Sequence, residues 1–351
     1  MHARLEKIKT FAEKYDRYIG FGFLTLGFTV DSLTLTRIDL WLDNIILLSY
    51  LTLAGVAIML MNIFPNRFMT TWLPFVLQYA YGGLFSGFVI FYSRSASLLA
   101  SWPFLLILLT VLFGNEFFRE RYRRTAFQLS IYFIAIFSFS IFYTPIFLKE
   151  ISDQVFLLSG IASLVIMWII LRALSFLAKG IGNSIYIARI TTIIIFAAFN
   201  ALYFTNLIPP IPLSLKEFGI YYGVERQGNI YEVKEEEIPW YKFTEKNKFH
   251  YEPGGSLFAF SSVFAPTDIK SDIVHEWSFF NSQTNTWEVR ETIKYSIFGG
   301  RDGGYRGYSV KSQLEHGKWR IDVKNERGQI LGRETFTVIP GKPLNLVVKE
   351  Q

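Results

Sequence analysis

The chain has 351 residues, 51% of them apolar and 18% aromatic against 18% charged, with a formal charge of +6 and no cysteine. That composition excludes a disordered chain, and the absence of Cys excludes disulfides, thiolate metal sites and cysteine nucleophiles. The charge excess does not point to nucleic acid, because residues 1–207 hold 16 basic and 10 acidic side chains while residues 208–351 hold 19 of each. Basic residues that flank apolar segments set orientation in a bilayer, so the lipid bilayer is an expected partner and nucleic acid is not.

A helix rises about 1.5 Å per residue, so roughly 20 apolar residues cross a hydrocarbon core about 30 Å thick. Seven segments meet or approach that length, near 18–34, 41–64, 71–92, 98–118, 127–148, 154–177 and 185–207. The first is the weakest, because Asp31 interrupts it. The basic stretch before it resembles a secretory signal; without a small-residue cleavage site near 29–36 it reads as an uncleaved anchor.

Basic residues gather in alternate loops. With the N-terminus in the cytoplasm, Arg4, Lys7, Lys9, Lys14, Arg17, Arg67, Lys179 and the topogenic cluster Arg119, Arg121, Arg123 and Arg124 fall inside, and only Arg37, Arg94 and Lys149 outside. Seven spans then carry everything after Leu207 across the membrane. Ionisable residues keep to span ends: Asp31 and Asp43 near the outer ends, Glu116, Arg172 and Arg189 near the inner ones. Mid-span polar residues are neutral, such as Gln78, Ser138, Ser140 and Asn200, which suit glue between helices better than an ion path. Gly83 and Gly87 permit a close backbone approach, read as packing inside the bundle.

At Leu207-Ile-Pro-Pro-Ile-Pro-Leu213 three prolines stop the helix, and residues 208–216 read as a stiff junction. Beyond it, β-branched and aromatic runs alternate with turn clusters, which predicts strands near 219–224, 230–234, 256–264, 273–280, 287–298, 305–312, 318–324, 330–338 and 344–349. In one of them Trp319, Ile321 and Val323 alternate with Arg320, Asp322 and Lys324, predicting one face on a core and one charged face in water. A turn through Asn325 to Gly328 leads to a partner strand with Phe336 and Val338. The expected fold is a membrane all-α bundle of seven transmembrane helices (1–207), the junction (208–216), and a C-terminal all-β, antiparallel, sandwich-like domain of two sheets (217–351).

One stretch reads Phe298-Gly-Gly-Arg-Asp-Gly-Gly-Tyr-Arg-Gly-Tyr-Ser-Val-Lys-Ser312, followed by Gly317-Lys-Trp-Arg-Ile-Asp-Val323, Gly328-Gln-Ile-Leu-Gly-Arg333 and Phe336-Thr-Val338. Together these resemble the C-terminal module called domain of unknown function (DUF) 2914, over roughly residues 273–339. The resemblance implies a bacterial envelope protein in which a multi-span half carries a small exported β domain. It implies no activity, cofactor or catalytic residue.

Within that stretch Arg301, Asp302, Tyr305, Arg306, Tyr308 and Lys311 are the candidate ligand- or partner-binding residues. Glycines expose backbone amides, Arg offers forked donors to carboxylate or phosphate, and Tyr stacks on a sugar or packs on a peptide. The alternative is a glycine-rich turn whose charges pair locally while its tyrosines pack on a sheet. No Gly-Lys-Ser/Thr follows, so this is not a phosphate-cradling loop. His275, on a predicted strand and distant in sequence from His250 and His316, makes no zinc motif. Trp277, Trp287 and Trp319 read as core or as a sugar platform, and Glu235 to Glu237 as a solvated charge run. No catalytic constellation, cofactor or metal site is legible, so no enzyme is expected. The expected role is an inner-membrane protein with a cytoplasmic N-terminus, whose periplasmic or extracellular β domain binds an envelope glycan or protein. The alternative is handling of a lipid or weakly charged substrate by the helices, with the β domain as cap or docking site.

Overall fold

The computed structural model describes residues 25–35, 37–95, 98–117, 121, 124–209, 212–228, 230–237, 247–343 and 345–351. The chain divides into two compact units, Met1–Ser93 with Ser101–Ile208, and Arg94–Ala100 with Pro209–Gln351.

The first unit is helical. Among the described residues seven helices follow in order: α1, described over 25–34, then α2 (Trp41–Ile63), α3 (Arg67–Arg94), α4 (Leu98–Phe117), α5 (Thr125–Leu148), α6 (Asp153–Leu177) and α7 (Gly182–Phe204). Five of them, α2, α3, α5, α6 and α7, are long and apolar enough to cross a membrane, with mean hydropathies between 1.4 and 2.3. In α4 the apolar run Ser101–Asn115 is shorter. Large apolar side chains such as Trp168, Phe176 and Ile193 face outward, a surface that soluble domains rarely expose.

Between helices, aromatic packing and neutral hydrogen bonds hold the bundle. Packed against α2, α6 and α7, helix α5 presents Phe137, which stacks on Phe199 at 4.9 Å and Phe196 at 5.7 Å. Asn62 donates to Gln128 at 2.9 Å, Thr125 donates to Asn62 at 2.5 Å, and Ser130 bonds Thr191 at 2.8 Å. Of the residues expected to act as glue, Asn200 instead turns back to the Phe196 carbonyl of its own helix. The Gly83 and Gly87 pair serves internal packing: a Cβ at Gly83 would lie 2.6 Å from the Tyr50 ring, and one at Gly87 2.5 Å from Leu47. Trp41 and Trp72 are exposed near the starts of α2 and α3. Among the topogenic arginines, Arg121 and Arg124 are exposed, while Arg119 and Arg123 lie outside the described residues.

Among the described residues the second unit carries eleven strands: β1 (Ser214–Tyr221), β2 (Gly223–Gln227), β3 (Ile230–Glu236), β4 (Lys248–Tyr251), β5 (Ser256–Phe264), β6 (Lys270–Asn281), β7 (Thr286–Phe298), β8 (Tyr305–Ser312), β9 (Gly317–Asn325), β10 (Ile330–Pro340) and β11 (Leu346–Glu350). They form three sheets, ordered β1-β5-β8, β4-β10-β9-β6-β7 and β11-β3-β2. Two expectations are corrected. The structure is mixed, since β4 runs parallel to β10, and there are three sheets where two were expected. Both corrections have local causes. Strand β4 is the four-residue run Lys248 to Tyr251, too short and too polar to show alternation. The stretch expected as one strand breaks at Tyr222, where β1 leaves one sheet and β2 enters another, in the way strands turn sheet corners at a bend.

Strand β5 lies in the middle layer. Leu257 and Ala259 join Trp277, Trp319, Ile321, Phe336 and Val338 in the main core. Phe260, on the other face, packs with Val224 and Val233 of the third sheet. A strand covered on both faces reads as a nearly continuous apolar run, which is why Ser256–Phe264 has so few charges. The hairpin from β9 to β10 has the expected turn, with Gly328 at φ +83° and its amide on the Asn325 carbonyl at 2.9 Å.

Candidate functional site

The loop that leads into β8 is built by its glycines, and most of their polar groups are used internally. Amides of Gly299, Gly300 and Gly304 donate to the carbonyls of Ile269, Ala265 and Arg301 at 2.9, 3.1 and 3.0 Å, and the Ser262 hydroxyl donates to the Gly303 carbonyl. Gly304 has φ +83°, and a Cβ there would sit 2.9 Å from the Val263 backbone. Gly307 makes room for the Tyr295 ring, whose Cζ would be 2.7 Å from an added Cβ. Close packing therefore accounts for these glycines, and those three amides are not open to a ligand.

The six sequence-predicted residues do not converge on one surface. In the register of β8 with β5, Tyr305 pairs with Val263 and Lys311 with Leu257, while Arg306 pairs with Ser262, Tyr308 with Phe260 and Val310 with Phe258. Side chains alternate along a strand. Tyr305 and Lys311 thus share the face of Leu257 and Ala259, toward the main core, and Arg306, Tyr308 and Val310 share the opposite face. Arg301 lies over the Tyr305 ring at 5.5 Å, and Lys311 pairs with Glu291 at 2.7 Å. Asp302 is exposed in the turn. What remains open on the second face is Tyr308 at 41% and Val310 at 39% exposure, with Tyr308 tilted against Phe258 at 6.0 Å. Strand β8 ends its sheet, with β5 as its ladder partner.

A buried polar cluster lies beneath this edge, and sequence reasoning missed it. His275 on β6 is fully buried. Its Nε2 lies 2.8 Å from Ser261 Oγ and its Nδ1 2.9 Å from Ser309 Oγ. Tyr295 completes the group, its hydroxyl 2.5 Å from Ser261 Oγ and 3.3 Å from His275 Nε2, and Trp277 Nε1 donates to Ser309 at 3.0 Å. Burial pushes the imidazole pKa down to about 3 and the Tyr295 hydroxyl well up. A neutral ring with one donor and one acceptor nitrogen satisfies this arrangement. The Ser261–His275 distance matches that of a nucleophile and its base. However, both side chains are sealed from solvent, so they tie β5 and β8 to β6 and β7 and meet no substrate. The legible signal was Ser261 and Ser309, polar at positions whose register makes them core.

The charged face of β9 is also corrected. Asp322 is only 1% exposed, and Arg333 grips it with two hydrogen bonds of 2.6 and 2.7 Å, while Lys324 at 3.5 Å and Arg320 at 3.6 Å stand beside it. Long cationic side chains from β9 and β10 cover the carboxylate. The hydrogen bonds to Asp322 raise the Arg333 pKa, whereas burial lowers that of Arg320. Trp277 and Trp319 are core; Trp287 is half-buried against Phe280 with Arg320 over its ring at 4.7 Å. Glu236 leaves the expected charge run to meet His250 Nδ1 at 2.9 Å. Among the described residues no group of three His, Cys, Asp or Glu could hold a metal ion.

No curated protein matches the chain. Among solved structures it is similar to the alkylpurine DNA glycosylase AlkC of Pseudomonas fluorescens bound to DNA containing an abasic-site analogue. The identity is 10%, over 85% of this chain and 99% of that one, at a TM-score of 0.21. Nothing about fold or function follows from a similarity that weak. The model of the family described as Protein of unknown function (DUF2914) matches residues 270–338, which run from the start of β6 into β10 and take in the glycine loop, His275 and the Asp322 cage. The C-terminal unit of this chain therefore carries a DUF2914 module.

Proposed function

We propose that the chain is a bacterial inner-membrane protein with seven crossings and a cytoplasmic N-terminus, whose exported β unit binds an envelope component, glycan or protein. The observation that carries the binding role is the outer face of β8. Tyr308 and Val310 stay exposed on a strand at the end of its sheet, and an end strand offers backbone donors and acceptors together with side-chain contacts. Arg301 and Asp302 are exposed in the adjoining turn. Arg306 shares the face of Tyr308, whereas Tyr305 and Lys311 serve the opposite face. The basic bias of one set of loops supports the orientation. His275 and its two serine partners, Ser261 and Ser309, are sealed from solvent, which favours a binding role over a catalytic one.

The test places a photo-crosslinking side chain at position 308 in the full chain expressed in cells. Light should yield a discrete adduct, and Arg301→Ala together with Val310→Ser should reduce its yield at least about five-fold with unchanged chain abundance. Absence of any adduct from position 308 would remove the binding role. The orientation is tested separately by a reporter fused after Gln351: activity only in the cytosol would overturn export.

A second reading, handling of a lipid by the helices, is favoured by a groove between α6 and α7 that Arg172 and Arg189 both line.

A further inference from the structure

The α6–α7 groove encloses about 520 Å³. Its floor is Met167, Leu171 and Thr192, all buried, and its rim carries Arg172, Arg189 and the exposed Trp168. The two helices are antiparallel neighbours joined by the short turn 178–181. Arg172 lies five residues before the end of α6 and Arg189 seven after the start of α7. At about 1.5 Å per residue, both charges sit roughly 8 to 10 Å in from the same end of the helix pair. The sequence places both near the inner ends of their spans; the fold brings them to one groove.

Cations at that depth are costly unless something neutralises or hydrates them. Among the described residues nothing does so. Neither guanidinium has an ion-pair or hydrogen-bond partner among the described residues. The only carboxylate on the two helices is Asp153, at the far end, where it accepts from Tyr203 at 3.1 Å. A second, independent feature points the same way: the Thr192 hydroxyl, on the groove floor, is buried without a hydrogen-bond partner. An apolar slot flanked by two unpaired guanidinia matches one kind of molecule, an amphiphile with acyl chains and an anionic phosphate. Guanidinium is the side chain best suited to phosphate, because its planar fork donates to two oxygens at once.

On these grounds we infer that the α6–α7 groove is a binding site for an anionic phospholipid. The phosphate lies between Arg172 and Arg189, and an acyl chain runs along Met167, Leu171 and Trp168. This rests on the reading of α6 and α7 as membrane spans, and it gives the second reading above a ligand class and a place.

The test uses the full chain purified in detergent and native mass spectrometry with phosphatidylglycerol and phosphatidylcholine of matched acyl chains. Phosphatidylglycerol should be retained at least about five-fold more than phosphatidylcholine. Arg172→Gln with Arg189→Gln should bring that ratio near one, and Arg172→Lys with Arg189→Lys should keep part of it. Equal retention of the two lipids by the unaltered chain, or an unchanged ratio in the Gln pair, overturns the inference. Should the Gln pair fail to fold, quenching by brominated phosphatidylglycerol decides: Trp168→Phe should remove part of the tryptophan quenching, and no loss overturns the site. Inorganic phosphate should leave the bound lipid in place; its displacing the lipid would assign the groove to a soluble anion and sink the lipid assignment. Release of the chain from membranes by alkaline carbonate is a different failure, which would remove the membrane reading itself.

Discussion

Replacing Asp322 with Ala should cost the β unit about 3 kcal/mol, the scale for a buried ion pair stripped of one partner. Asp322 is the buried acid amid Arg333, Arg320 and Lys324, with Glu276 beside it paired to Lys324 at 2.5 Å; without Asp322, Lys324 keeps Glu276, but Arg333 and Arg320 face each other across a partly covered surface. The reverse change is milder. Arg333→Ala leaves Asp322 near Lys324 and Arg320, and the Arg333 side chain is 34% exposed, so a loss of about 1 to 2 kcal/mol is expected. The double variant should recover part of the Asp322→Ala loss, because removing Arg333 also removes repulsion. Native-state hydrogen exchange of β9 and β10 peptides in the full chain reads each opening free energy. Equal losses in the two single variants would show that the cage is held by hydrogen-bond geometry and not by charge balance.

A second large effect concerns acid. His275 has an ordinary pKa of 6.5 that burial lowers to about 3 in the fold. Between those values the unfolded chain binds a proton that the folded chain refuses, so stability rises with pH across that window and falls as pH drops through it. The contribution is fully present above pH 6.5. By about pH 3 it has been lost, to an extent on the order of 4 kcal/mol. His275→Gln should cost about 1 to 3 kcal/mol at neutral pH, since Gln cannot meet both Ser261 and Ser309 with the same geometry. Its stability should then be flatter between pH 6.5 and 3 than that of the unaltered chain. Carboxylates such as Asp272, whose pKa is lowered chiefly by its hydrogen bond to Lys294, titrate alike in both chains and cancel in the difference. Parallel pH profiles of exchange in β5 and β6 would contradict the buried neutral imidazole.

The two chemistries differed in how well they could be read before the fold was known. Segment by segment, the helices follow from runs of apolar residues, and β5 and β8 appear at their observed bounds because β-branched and aromatic residues mark them between turn clusters. The glycine stretch was legible as a special place, but its meaning was not. From sequence its amides look free; in the fold three of them are hydrogen-bonded and Gly307 accommodates the Tyr295 ring. Arg306 and Lys311 stand five positions apart, and only the strand conformation puts them on opposite faces, which dissolves a cluster that appears contiguous in one dimension. His275 showed the opposite failure. Its partners are Ser261, Tyr295 and Ser309, at separations of 14, 20 and 34 residues, and no local pattern joins them.

Composition and periodicity were sufficient to determine a helical half and a β half, because burial against apolar surroundings imposes a repeat along the chain itself; the DUF2914 module was legible only as a resemblance, carried by the motifs between Phe298 and Val338. Tertiary structure alone decided that three sheets form, that Asp322 is enclosed by cations, and that Arg172 and Arg189 line one groove. Each of those depends on which strands or helices become neighbours. Pairing between distant segments is set by the packing of whole faces, and a residue's nearest neighbours in sequence carry almost none of that information.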